Sequence, residues 1–88
     1  MRVRRAAIVD EVTRDGETAV MVGEQVALLS VVASAAWRAV PASGPVDVAQ
    51  IAESLLAEFG SPPGVDAETA TLTIVEDLVA MGLLIHEG

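Results

Sequence analysis

The chain has 88 residues, enough for one domain over 1–88 and too few for two. It holds no cysteine and a single histidine, which excludes a disulfide framework and a thiolate metal site and argues against a histidine zinc site. Thirteen acidic residues against five arginines give a net charge of −8, a field that repels a phosphate backbone and argues against nucleic acid as a partner.

Ala6-Ala7-Ile8-Val9 opens an extended run that reaches about Thr13. Asp15-Gly16 then gives a strong hairpin signal. Thr18-Ala19-Val20-Met21-Val22 is the second strand, Gly23-Glu24 turns the chain again, and Gln25 to Leu29 is the third. Turns this short join antiparallel neighbours, so residues 6–29 are expected to form a three-stranded meander. Ser30 is placed to cap a short helix over 31–40, which Pro41 ends. Asp47 with Gln50 three residues on fits a capping box. Val48, Ile51, Ala52, Leu55, Leu56 and Phe59 follow at helical spacing, so a helix is expected over 47–59 with this stripe as core. Ser61-Pro62-Pro63-Gly64 breaks the chain. A third helix is expected over 66–81, capped by Asp66 and stopped at Gly82. Leu83-Leu84-Ile85 reads as a tail folded back on the core. Strands first and helices second give an α+β domain with a winged helix-turn-helix-like outline: one three-stranded antiparallel sheet followed by three helices.

No catalytic constellation emerges. The serines have only His86 as a base, near the end of the sequence where chains fray. The pairs Asp10-Glu11 and Glu76-Asp77 are adjacent in sequence and point apart, so they read as solvated charge and not as an acid/base pair. No glycine-rich loop joins a strand to a helix, so phosphate-cradle motifs are absent. Trp37, set among Ala35, Ala36 and Ala39, reads as core. The domain is therefore expected to be no enzyme and to carry no metal or other cofactor. No apolar run approaches a membrane span, and the N-terminus lacks a signal core, so a cytoplasmic domain is expected.

With chemistry missing, an edge becomes the useful surface. Arg4, Arg5, Asp10 and Glu11 guard the first strand. The third, Gln25-Val26-Ala27-Leu28-Leu29, has neither charge nor proline, which makes it a hazard or a docking place for another strand. Of the amides of Val26 and Leu28, one is expected to face outward.

Leu29-Ser30 followed by Ala33, Ala35, Ala36 and Trp37, the helix Val48 to Phe59, and the ending Leu78-Val79-Ala80-Met81-Gly82-Leu83-Leu84 resemble the PqqD-like recognition elements. These are the small domains that bind leader peptides in the biosynthesis of ribosomal peptide natural products (RiPPs). A Trp at position 37 is most similar to stand-alone versions from lasso-peptide pathways. Ser30 stands where the family has Asn, and Thr71 where it has an aliphatic residue. The resemblance implies that a leader peptide adds a strand to the third strand's edge, in a groove walled by the third helix. It also implies three partners: a precursor peptide, a leader peptidase and a ring-forming synthetase. The expected contacts are Val26, Ala27 and Leu28 on the strand, and Thr71, Val75 and Leu78 on the helix, where Val75 and Leu78 read equally as core. Two other readings fit the outline, an oligomerisation adaptor that pairs through the same edge and a winged-helix transcriptional regulator. The regulator needs basic residues on the second or third helix, and neither helix has a Lys or Arg.

Overall fold

In the computed structural model, which describes residues 1–7 and 10–87, nine elements follow one another. They are β1 (Arg2–Arg5), β2 (Asp10–Arg14), β3 (Glu17–Val22), β4 (Gln25–Leu29), α1 (Val31–Ala39), β5 (Val46–Asp47), α2 (Val48–Phe59), α3 (Ala67–Ala80) and β6 (Leu84–Glu87). The domain is α+β. The expected start of the first strand falls partly on Ile8 and Val9, which lie outside the described residues. Among the described residues the first to pair is Asp10, and Ala6 and Ala7 are not in a strand.

Asp15 and Gly16 both take positive φ, 55° and 82°, as a type I′ turn requires, and Arg14 pairs with Glu17 across it. Gly23-Glu24 makes a second two-residue turn between Val22 and Gln25. The resulting meander β2-β3-β4 turns Thr18, Val20 and Leu29 inward against α1. A buried hydroxyl finishes the sheet there. Ser34 Oγ accepts the Thr18 N–H at 2.8 Å and donates to the Leu29 carbonyl at 3.2 Å, so neither backbone group is stranded.

The expectation of a single sheet is corrected by a second one, in the order β5-β1-β6. Its middle strand is Arg2-Val3-Arg4-Arg5, in which only Val3 is apolar and wholly buried. β6 reaches it through a Schellman motif at the end of α3. The Leu83 N–H bonds to the Leu78 carbonyl and the Gly82 N–H to the Val79 carbonyl, with Gly82 at φ 81°. The expected tail is therefore a strand. His86, expected at a frayed end, sits exposed opposite Val3 in that strand.

The helices occupy the expected stretches. Ser30 Oγ accepts the Ala33 N–H, and the Asp47–Gln50 capping box is complete. Asp66 accepts both the N–H and the hydroxyl of Thr69 at 2.8 Å, which holds its carboxyl below the usual 3.8. Around them the core gathers Val3, Val20, Trp37, Ile51, Leu55, Val75, Leu78, Leu83 and Leu84. Arg5 joins the two sheets to this core. Its guanidinium carbon lies 4.3 Å from the centre of the Trp37 ring, and it reaches Glu11 at 3.3 Å and the Trp37 carbonyl at 3.1 Å. Trp37 Nε1–H in turn donates to Glu11 at 3.1 Å.

Two residues of the expected core stripe are not core. Leu56 and Phe59, the latter ending α2, are each 42% exposed, whereas Leu55 is 8% exposed. Leu55→Ala should cost about 2–5 kcal/mol, as for other buried leucines. Phe59→Ala should cost clearly less, and equal losses in thermal denaturation would contradict this placement. Among the described residues no helix is long and apolar enough to cross a membrane.

Candidate functional site

The backbone of β4 determines what its free edge offers. The two-residue turn makes Val22 and Gln25 a hydrogen-bonded pair, and pairs alternate from there. Gln25, Ala27 and Leu29 thus face β3 with their amides, while Val26 and Leu28 face away. The expectation that only one of Val26 and Leu28 points outward is corrected. They stand two residues apart, so both do. Their side chains lie on the sheet's outer face, 58% and 78% exposed.

That edge overlooks a cleft. β4 packs on β3 and α1, whereas α3 packs on α1, α2 and β6, leaving space between β4 and α3. Two depressions occupy it. One, of about 120 Å³, is lined by Val22, Gln25, Val26, Ala27 and Met81. The other, of about 230 Å³, is lined by Leu28, Leu29, Ser30, Ala33, Ile74, Asp77, Leu78 and Met81. Met81 borders both, so they form one trough along β4.

The structure divides the six expected contact residues. Val26, Ala27 and Leu28 line the trough on the strand side, and Leu78 lines it on the helix side, although only 1% of its surface is exposed. Val75 has no exposed surface and lines no part of the trough. Thr71, 2% exposed, donates its hydroxyl to the Ala67 carbonyl at 2.7 Å and borders a different depression, between α2 and α3. The helix side of the trough is made instead by Ile74, Asp77 and Met81, which sequence reasoning did not select. The signal lay in the helical period: residues 74, 77 and 81 run one step beside the buried row 71, 75 and 78.

The depression between α2 and α3, about 210 Å³, is lined by Leu55, Leu56, Phe59, Pro62, Pro63, Ile74 and neighbours. Ile74 is common to it and to the trough. The outer sheet face adds exposed Val12 and Met21 to Val26 and Leu28.

Ionisable groups do not converge at the trough. Asp77 is the single charged side chain on its lining, and it forms no ion pair among the described residues. Among the described residues no three His, Asp or Glu side chains come together as a metal site. What the trough can do is hold an extended backbone: outward amides and carbonyls on one side, and on the other a helix face of apolar side chains with Asp77 among them.

Comparison of the chain with family models, characterised proteins and solved structures gives no match.

Proposed function

We propose that this domain binds the leader segment of a precursor peptide without catalysing a reaction. The peptide adds as a strand to β4 and lies in the trough beneath α3. The observation that carries this reading is the edge itself: an uncharged strand whose Val26 and Leu28 amides face a cleft walled by α3. The meander followed by helices supports a winged-helix-like arrangement, and the residues that resemble PqqD-like elements support the choice of occupant. On this reading the domain works in the cytoplasm. It hands the leader to a peptidase and a ring-forming synthetase, in a pathway of the lasso-peptide kind.

The test is a titration of a labelled leader, from a precursor encoded beside this gene, at several salt concentrations. Strand addition rests on backbone hydrogen bonds and apolar contact, so affinity should fall only shallowly with salt. A loss of orders of magnitude between low and physiological salt would indicate phosphate-type binding and overturn the reading. One observation favours a second reading. Val12, Met21, Val26 and Leu28 make the outer sheet face apolar beside the free edge, which suits pairing with another copy. Sedimentation separates the two, because a dimer undisturbed by the leader favours the adaptor.

A further inference from the structure

The net charge is unevenly placed. Residues 1–38 contain all five arginines and five acidic residues, whereas residues 39–88 contain eight acidic residues and neither Lys nor Arg. The boundary falls at the end of α1. The trough therefore has a neutral wall, β4, and an anionic wall, α3. Among the described residues Asp77 is the one charged group on the lining. It sits one turn from Ile74 and one turn from Met81, at helix spacings of about 4.5–6 Å. On an extended peptide, side chains on one face recur about every 6.6–6.8 Å. The steps differ by about 1–2 Å each, within the reach of long side chains, so a strand that runs along α3 brings three successive side chains of one face near Ile74, Asp77 and Met81.

On the reading that the trough takes a strand, we infer that its occupant is a cationic peptide. It presents Lys or Arg to Asp77, with a bulky apolar residue two positions away on each side. The cation answers a carboxylate that forms no ion pair among the described residues, and the apolar residues cover Ile74 and Met81, the latter 49% exposed. The anionic half of the domain adds a longer-ranged attraction of the same sign.

The experiment is selection from a displayed library of random nine-residue peptides against the full chain. Three proteins serve as bait: the wild type, Leu28→Pro with its blocked edge, and Asp77→Lys. Circular dichroism confirms that each is folded, and Val26→Pro replaces Leu28→Pro if that variant is not. The wild type should enrich an apolar residue, any residue, Lys or Arg, any residue, and an apolar residue. Changing the central cation of a selected peptide to Glu should weaken binding roughly two- to fivefold, the size of an exposed ion pair. Asp77→Lys should prefer the Glu peptide. An edge-dependent pool with no central cation, or an Asp77→Lys protein with unchanged preference, overturns this inference and leaves the strand-addition reading standing. A pool that binds the edge-blocked protein as well as the wild type overturns both.

Discussion

Leu28→Pro should abolish leader binding while the domain stays folded, and Ala27→Pro should unfold it. The two residues are neighbours, yet the pairing of β4 with β3 gives their amides opposite tasks. Ala27 lies opposite Val20 in a hydrogen-bonded pair, so proline there removes a ladder bond and strands a carbonyl over the core. Leu28 lies opposite Ala19 in a pair whose amides face outward, and its side chain is 78% exposed. Proline is tolerated on such an edge, where it deletes only the donor an added strand would use. Val26→Pro should behave like Leu28→Pro. Side-chain truncation at Leu28 should matter less than loss of the amide. Calorimetry with the leader and circular dichroism on the same samples check both halves. If Leu28→Pro and Val26→Pro stay folded and bind at wild-type affinity, β4 is not the docking edge.

Trp37→Ala should be the most damaging single truncation. The indole is fully buried at the meeting point of α1, β2 and β1. Its removal leaves a large cavity, takes the ring from beneath the Arg5 guanidinium and frees Glu11 from one of its two partners. Truncations of this size cost about 3–5 kcal/mol, against a total of roughly 5–15 kcal/mol for a native domain. At about 4–8 °C per kcal/mol for a domain of this length, the melting temperature should fall by more than about 12 °C. Far-UV circular dichroism is the readout, since the variant has lost the only tryptophan. A fall below about 5 °C would mean that the ring does not fill the centre. Arg5 Nε is buried and has no hydrogen-bond partner among the described residues, so the guanidinium depends on the ring face as well as on Glu11.

Where a residue's chemistry acts locally, the sequence was readable. Asp15-Gly16 dictates its turn because few other pairs accept two positive φ values. Asp47 and Gln50 close a capping box within one helical turn. The second sheet was hidden for the opposite reason. β1 has one buried side chain among three arginines, and β5 is two residues long, so neither carries a period of its own; distant partners create both strands. The site was half readable. An edge without charge or proline is visible in a string of letters. Which row of α3 faces it depends on how the helix is rotated about its axis, and a helix with apolar residues on several sides does not announce that. Leu56 and Phe59 show the same limit on α2, where the apolar stripe is wider than the face the helix buries.

The place of β1 bears on the order in which the molecule assembles. The meander and the helices draw on partners a few residues to a few tens of residues away. β1 pairs Arg2 with Glu87 and Val3 with His86. Closing a loop of that span costs more entropy than closing a hairpin, and it is offset only once the rest of the core exists to receive Val3 and Leu84. The β5-β1-β6 sheet is thus expected to form after the meander and the helices. The meander and its edge belong to the early, locally encoded part of the fold, so a chain whose ends have not yet met already holds the strand that faces the trough.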